Sequence, residues 1–294
     1  MSQLNIFLCG ASGQLGQALG SRLTAASWRY EVDFVHSVFS GSNEQVLSHI
    51  TPSVILNAAA FTDVTRAEKE PALALEVNRD GVARLAELAK QHNALLVHFS
   101  TDYVFDGARE QPWKESDKPA PLNVYGQSKW AGEQAIIASG CRHLIIRTSW
   151  LHSPWRDNFL KTMLNIGKSR NELQVVCDQV GAPTSALMLA DVTLQAIERV
   201  LAEPELEGLY NVTASGFVSW FDYACFVFKE AKSIGLIYGV PKVIPIASHD
   251  YPGHVLRPSN SRLDTSLFCH RFDIQLPDWR EGVRDTLLCL ARAV

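Results

Sequence analysis

A chain of 294 residues, 47% hydrophobic and 20% charged, has the composition of an ordinary soluble globular protein and the length of one large or two closely packed domains. Its formal charge of −4 gives no general reason to expect nucleic acid, and no apolar run reaches the ~18 residues of a membrane span. The six cysteines, Cys9, Cys141, Cys177, Cys225, Cys269 and Cys289, show neither a C-x-x-C pair nor zinc-like histidine spacing. That scatter, with no charged leader before the first apolar run, predicts buried free thiols in a cytoplasmic protein.

The first apolar run, Leu4 to Cys9, ends in Gly10-Ala11-Ser12-Gly13-Gln14-Leu15-Gly16, after which Leu15, Leu19 and Leu23 recur at helical spacing. Strand, glycine turn and helix in that order open a dinucleotide-binding βαβ unit. Gly10 permits the turn, Gly13 lets a pyrophosphate approach the backbone, and Gly16 allows close helix packing. The helix start then offers unpaired N–H groups and a positive dipole end to phosphate. The next strand is expected within residues 32–36. A residue that grips the ribose hydroxyls of NAD would be an acid at its end, but the segment continues His36-Ser37-Val38-Phe39-Ser40. No arginine pair marks a 2′-phosphate site either; NADPH is the expected cofactor, with NADH left open.

Residues 53–57 read as a buried parallel strand, and Ala58, Ala59 and Ala60 after it leave room for a dinucleotide crossing the strand ends. Pro71 to Gln91 reads as one long helix, with Asn78 on its polar surface and a cofactor-side contact as the weaker alternative. The run from Ala94 to Phe99 delivers Ser100 and Thr101 to the carboxyl end of a strand, the edge where open α/β sheets bind ligands. Pro119, Pro121 and Asn123 then place Tyr125 in the first turn of a helix running to about Ser139. A further strand over 143–147 ends in Thr148-Ser149-Trp150. The alternation predicts an α/β fold, a Rossmann-type doubly wound parallel sheet, with residues 1–150 as the NAD(P)-binding domain.

Tyr125 and Lys129 stand one helical turn apart and share a face. An ammonium beside a phenol favours the phenolate and lowers its pKa from about 10, which suits Tyr125 to exchange a proton with a carbonyl or hydroxyl oxygen. A second Tyr-x-x-x-Lys, at Tyr238 and Lys242, contains Pro241 and reads as accidental. Beyond Trp150 the pattern loosens. Helices are expected over 159–166, 185–201, from Ser219, and over 277–290; a turn-rich loop spans 178–184, another loop spans 252–258, and a late strand near 208–212 joins the sheet. Residues 151–294 are read as mainly a smaller substrate-binding domain interleaved with it.

Gly10-x-x-Gly13-x-x-Gly16, the pair Ser100/Thr101 and Tyr125-x-x-x-Lys129 together resemble the extended short-chain dehydrogenase/reductase superfamily. Asn57-Ala-Ala-Ala60, Ser100-Thr-Asp-Tyr-Val-Phe-Asp-Gly107, Pro121-Leu-Asn-Val-Tyr-Gly126, Arg147-Thr-Ser-Trp150, Asp178-Gln-Val-Gly-Ala-Pro-Thr184 and Arg257-Pro-Ser-Asn-Ser-Arg-Leu263 are similar, in the same order, to the dTDP-4-dehydrorhamnose reductase family. The resemblance implies NAD(P)H-dependent reduction of the C4 ketone of a small-molecule sugar nucleotide, dTDP-4-dehydro-L-rhamnose. It implies Tyr125 as proton donor, Lys129 as the ribose ligand that lowers the Tyr125 pKa, and Thr101 as donor to the substrate oxygen. Cofactor contacts fall on Gly10, Ser12, Gly13, Gln14, Leu15, Gly16, Ala58, Ala59, Ala60, Ser100, Tyr125 and Lys129. Substrate contacts fall on Thr101, Asp102, Tyr125, Trp150 and Arg257. Family members hold magnesium at a dimer contact through glutamates; Gln17-Ala18-Leu19 and Ser185-Ala-Leu-Met188 lack them, so magnesium is not expected and a homodimer is left open. An epimerase or dehydratase of the same fold, and a regulatory subunit without turnover, are the competing readings.

Overall fold

A computed structural model describes residues 4–26, 28, 30–33, 51–252 and 255–292. Six parallel strands form its central sheet: β1 (Ile6–Cys9), β2 (Tyr30–Asp33), β3 (Val54–Asn57), β4 (Leu95–Thr101), β5 (His143–Thr148) and β6 (Gly208–Asn211). Their spatial order is β6-β5-β4-β3-β1-β2, every pair parallel. The chain direction of assembly reverses beside β1, and the crevice at such a reversal is where open α/β sheets bind ligands. All seven residues of β4 are buried, as a parallel strand covered on both faces requires.

Alternate side chains of the strands feed two cores. Leu8, Leu56, Val97 and Ile146 point to one, closed by α1 (Gln14–Ala25) and the long helix Ala186–Ala202. Phe7, Ile55, Leu96 and Ile145 point to the other, closed by α2 (Val82–Gln91) and α3 (Val124–Ser139). A third cluster joins the helices Phe159–Gly167, Trp220–Ser233 and Trp279–Arg292, with Leu160, Tyr223, Phe228, Trp279 and Leu287 inside it. It also covers one face of a separate two-stranded parallel pair, Glu172–Val176 with Lys242–Ile246.

Several expectations shift. The helix over 71–91 is broken by a π-helical turn, Glu76–Gly81, between Pro71–Leu75 and Val82–Gln91. That turn carries Asn78 inward, so it is buried rather than a surface residue. The second strand lies at Tyr30–Asp33, earlier than 32–36, and the segment His36 to Ser40 falls outside the described residues. An acid, Asp33, therefore stands on β2 level with Cys9 of β1, twenty residues after Gly13. The loop over 178–184 holds two short strands, Val180–Gly181 and Thr184–Ser185. Cys9 and Cys141 are buried, Cys177 is exposed, and none of the six cysteines is joined in a disulfide. Tyr238 is 96% exposed and Lys242 begins a strand, so that Tyr/Lys pair shares no helix. Among the described residues no helix is long and apolar enough to cross a membrane.

Beneath α3 lies a buried ion pair: Arg147 Nε and Nη2 donate to Glu133 Oε1 and Oε2 at 2.9 and 2.6 Å. The Arg147 guanidinium also sits 5.0 Å from the Phe105 ring centroid. Removing one partner strands the other charge in the core, which costs about 3–5 kcal/mol. Arg147→Met alone should therefore lose stability on that scale in urea unfolding, whereas Glu133→Leu with Arg147→Met should recover most of it. A double variant no more stable than the single would show that the pair is not what holds α3 to β5.

Candidate active site

The glycine turn is built for close approach. Gly10 has φ +76°, a left-handed conformation that favours glycine, and a Cβ there would stand 2.5 Å from the Ala59 amide nitrogen. A Cβ on Gly16 would stand 2.1 Å from the Gly10 carbonyl oxygen. At Gly13 the nearest protein atom to such a Cβ is the Gly10 carbonyl oxygen at 3.4 Å, which leaves the space above the turn open. Gly13 caps α1 without a side-chain hydrogen bond, and the first turn carries no acid. The N–H groups and positive dipole end therefore face a region suited to phosphate. Leu15 is buried in the core, so only its backbone serves the turn, while the alanines 58–60 are half-buried against it.

A later segment clamps this turn. Gln14 Oε1 accepts from Ser153 Oγ at 2.9 Å and Asn158 Nδ2 at 3.0 Å, and Arg156 Nε donates to the Ser12 carbonyl at 2.8 Å. Sequence reasoning missed Ser153, Arg156 and Asn158, because nothing local in 153–158 signals a partner some 140 residues earlier.

At the carboxyl edge of β4 and β5, Thr101 is level with Thr148 and Ser100 with Arg147. Thr101 Oγ1 donates to Asp102 Oδ1 at 3.1 Å and accepts from the Tyr103 amide at 3.2 Å. Asn123 caps α3 by accepting from the Gly126 amide at 2.8 Å, which fixes Tyr125 in the first turn. Gly126 is required there, since a Cβ would stand 2.2 Å from the Tyr103 carbonyl oxygen. Tyr125 meets Tyr103 edge-on, with centroids 5.5 Å apart. Burial pushes the Tyr125 phenol well above its ordinary value; a hydrogen bond with Thr101 opposes the rise, and Asp102 and Tyr103 add to it. Burial likewise pushes the Asp102 carboxyl up to about 6, against hydrogen bonds from Ser261 and Thr101.

Lys129 is the largest departure from the sequence expectation. Its side chain is buried, 2% exposed, and Nζ turns towards the sheet, donating to the Phe99 carbonyl at 2.6 Å and meeting His98 Nε2 at 3.2 Å. Burial brings its pKa down to about 8, opposed by the Glu133 carboxylate. The influences on the Tyr125 phenol are burial, Thr101, Asp102 and Tyr103, so the ammonium-driven lowering is not what this state shows. The physical reason is that Lys129 spends its hydrogen bonds on β4.

Arg257 is exposed in its loop, where its charge and a hydrogen bond act on the Tyr103 hydroxyl. The loop is pinned beside the site: Asn123 Nδ2 donates to the Leu256 carbonyl at 2.9 Å, and Asn260 Nδ2 donates to the carbonyls of Arg109 and Gln111 at 2.7 and 2.8 Å. Trp150, at φ +49°, stacks on Trp220 at 3.5 Å between centroids and lies over Gly181, whose added Cβ would stand 2.5 Å from the ring. Ser100 is buried and its hydroxyl lacks a hydrogen-bond partner among the described residues. The structure thus gathers Thr101, Asp102, Tyr103, Tyr125 and Arg257, with Ser261 beside Asp102. The sequence assigns His98 no role, contains Asn57 and Ser261 only within family motifs, and offers Asn78 a cofactor-side place only as the weaker alternative. A polar residue inside an apolar strand, as at Asn57 and His98, was the available signal. No group of three or more His, Cys, Asp or Glu that could hold a metal occurs among the described residues.

Comparison with known proteins gives a consistent result. The family model described as RmlD substrate binding domain matches residues 4–291. A dTDP-4-dehydrorhamnose reductase of Escherichia coli K12 is 44% identical over 292 residues, covering 97% of each chain. A crystal structure of dTDP-4-dehydrorhamnose reductase from Bacillus anthracis in complex with NADP is 33% identical, with a TM-score of 0.89 over 97% of this chain and 99% of that one. A Thermus thermophilus UDP-glucose 4-epimerase complex with NAD, at 20% identity and a TM-score of 0.78, shares the fold over 99% of this chain and all of that one.

The second and third glycines of the turn, Gly13 and Gly16, separate stability from binding. Gly13→Ala should fold with near-normal stability but bind a dinucleotide phosphate at least tenfold more weakly, because the new methyl enters the open space. Gly16→Ala should instead lower the melting temperature, since its clash is with protein backbone. Equal melting losses for the two, or unimpaired titration of Gly13→Ala with dinucleotide, would contradict this geometry. Asp102 gives a pH test. With its carboxyl raised to about 6 from an ordinary 3.8, the folded state binds the extra proton between those values. Stability contributed by the protonated form is present below about 4 and lost as pH rises through 6. Asp102→Asn should therefore gain stability over the parent at pH 7–8 and lose that advantage near pH 4, as followed by urea unfolding across pH.

Proposed function

The chain belongs to the dTDP-4-dehydrorhamnose reductase family, and from that membership we propose that it reduces the C4 ketone of dTDP-4-dehydro-L-rhamnose to give dTDP-L-rhamnose, with NADPH as the reductant. The observation that carries this reading is the pair of hydroxyls of Thr101 and Tyr125 brought to act on one another at the carboxyl edge of the sheet, in the same chain as an open glycine turn at α1.

Bound at the glycine turn, NADPH supplies the hydride. The protein's own part begins with orientation. The α1 N-terminus and the Gly13 opening hold the pyrophosphate, Gln14 keeps the turn in place through Ser153 and Asn158, and the alanines 58–60 let the dinucleotide cross the strand ends. Lys129 offers an N–H to a ribose hydroxyl from beneath. Thr101 donates to the ketone oxygen and so stabilises negative charge as it appears there. Tyr125 delivers the proton to that oxygen. Its raised pKa keeps the phenol protonated at neutral pH, which is the state a proton donor must occupy before the reaction. In the free protein the one Thr101 O–H is directed to Asp102 Oδ1; on substrate binding that single proton turns to the ketone oxygen, and Asp102 is left beside Ser261.

On the sugar-nucleotide side, Trp150 supplies an aromatic wall on Trp220, and the exposed Arg257 supplies a guanidinium for the diphosphate. We read residues 1–150 with β6 as the cofactor half and most of 151–294 as the substrate half. Six cysteines without a disulfide, and the small-molecule chemistry, fit a cytoplasmic location.

The test is net oxidation of NADPH, followed by absorbance, with dTDP-4-dehydro-L-rhamnose as substrate. Stoichiometric consumption is expected; no consumption, or interconversion of sugar nucleotides without it, would favour an epimerase. Tyr125→Phe should lower kcat by about 10²- to 10⁴-fold, the range typical of a lost general acid, while leaving dinucleotide affinity near normal. Undiminished turnover in that variant refutes the assigned proton donor.

A further inference from the structure

Asn123 caps α3, a task that uses only the oxygen of its buried side-chain amide. The nitrogen serves a loop 133 residues further along: Nδ2 donates to the Leu256 carbonyl at 2.9 Å, while Oδ1 accepts from the Gly126 amide at 2.8 Å. These partners fix the amide's orientation, since only the oxygen can accept from an N–H and only the nitrogen can donate to a carbonyl. The helix has no need of the second bond. Its Val124 amide is taken by Glu68 Oε1 at 2.7 Å, and serine or aspartate caps a helix about as well as asparagine. Neither replaces the donor, because serine ends one atom sooner and aspartate carries no N–H. Tyr125 lies two residues after Asn123, and Arg257 lies one residue after Leu256. One buried side chain thus links the backbone of the proton donor to the backbone of the guanidinium.

We propose that Asn123 is a positioning residue that sets the span between Tyr125 and Arg257, so that the site selects a nucleoside-diphosphate sugar whose ketone and diphosphate are that far apart. The proposal deepens the function assigned above and rests on Arg257 meeting the diphosphate. The two sides of Arg257 are held differently. After it, Pro258 packs on Gly107, Ser259 Oγ donates to the Gly107 carbonyl at 2.9 Å, and Asn260 Nδ2 donates to the carbonyls of Arg109 and Gln111. Before it, among the described residues, the hydrogen bond that ties the loop to the sheet half of the chain is that of Asn123. Arg257 also meets the Tyr103 hydroxyl, and the Tyr103 ring meets Tyr125 edge-on, but that contact holds the side chain rather than the backbone bearing it. A ligand held at two points gains from the second contact only when the spacing matches it and is fixed before binding; otherwise ordering the loop offsets the gain.

The test uses Asn123→Ser and Asn123→Asp in the full chain, two variants that keep the cap and lose the donor. Melting temperature and KM for NADPH should stay near the parent values. With NADPH saturating, kcat should stay within about twofold while KM for dTDP-4-dehydro-L-rhamnose rises about three- to tenfold, the scale of one neutral hydrogen bond. Calorimetric titration with dTDP, which lacks the sugar and cannot bridge the two points, should show a smaller loss. Combined with Arg257→Ala, Asn123→Ser should add nothing further to KM, because it acts through the same guanidinium. An unmoved KM in both Asn123 variants, or a fall in kcat alone, would show that the residue is a cap and nothing more. Equal losses for dTDP and the sugar nucleotide, or additive effects with Arg257→Ala, would also overturn the spacing role. If Arg257→Ala itself leaves KM unmoved, the diphosphate reading fails and this proposal falls with it. A raised KM in Arg257→Ala beside unmoved Asn123 variants removes the proposal alone.

Discussion

Helix α3 buries a polar seam against the sheet, and the position of the reacting groups follows from satisfying it. Lys129, Glu133 and Ser128 all face inward, where unpaired polar groups are costly. Each finds a partner on a different element: Lys129 on β4, Glu133 on β5 through Arg147, and Ser128 on the π-helical turn through Asn78. Asn78 also holds the Phe61 backbone by both its amide ends, 2.8 Å to the N–H and 3.0 Å to the carbonyl. At Gly132 the helix comes so close that a Cβ would stand 2.2 Å from the Asn78 carbonyl oxygen. A helix locked at three points along its length has little freedom to rotate or slide. Tyr125, one turn before Lys129, inherits that placement, and the Asn123 cap fixes the remaining end.

The rest of the site is assembled from segments far apart in sequence that meet on this rigid platform. The segment 153–158 grips the glycine turn, the loop after Leu256 grips the Asn123 cap, and Gly107 packs so tightly against Pro258 that a Cβ would stand 2.7 Å from it. These contacts lie between the part of the chain that builds most of the sheet and the part that follows it. Sites at such a junction can close on two ligands at once, because each side carries one set of contacts. The pyrophosphate-facing turn comes from the first part and Arg257 from the second, while Thr101 and Tyr125 stand at the sheet edge between.

How far the sequence could be read follows from how local each signal is. Strand runs of Val, Ile and Leu, the glycine spacing and the Asn123 cap are local, and they placed β1, β3, β4, β5, β6 and the start of α3 to within a residue or two. The hydroxyl pair and Tyr125 were legible for the same reason. What escaped depends on contacts across the sheet. Asn78 sits at a helical position that looks exposed until the π turn rotates it inward. His98 and Asn57 interrupt apolar strands, and their meaning appears only when register sets them side by side. The parallel pair of Glu172–Val176 with Lys242–Ile246 joins strands some 70 residues apart, with no turn between them to announce it. The resemblance to a known family supplied site assignments such as Trp150 and Arg257 that periodicity alone would not have reached.

Within the site, the expectation that departs furthest from the geometry is the relation between Lys129 and Tyr125, and it bears on the proposed chemistry. An oxidation that removes a proton from a hydroxyl needs a phenolate, so it needs the phenol pKa brought down towards neutrality. A ketone reduction needs the opposite starting state, a phenol that still holds its proton when negative charge develops on the substrate oxygen. Burial secures that starting state but makes Tyr125 a weaker acid, so the substrate oxygen also needs donors other than Tyr125. In the proposed reaction Thr101 would supply the early stabilisation, while Lys129 Nζ donates to Phe99 and meets His98 Nε2. Tyr125, half-buried at the sheet edge, thus holds its proton at neutral pH, which is the starting state that the proposed reduction requires.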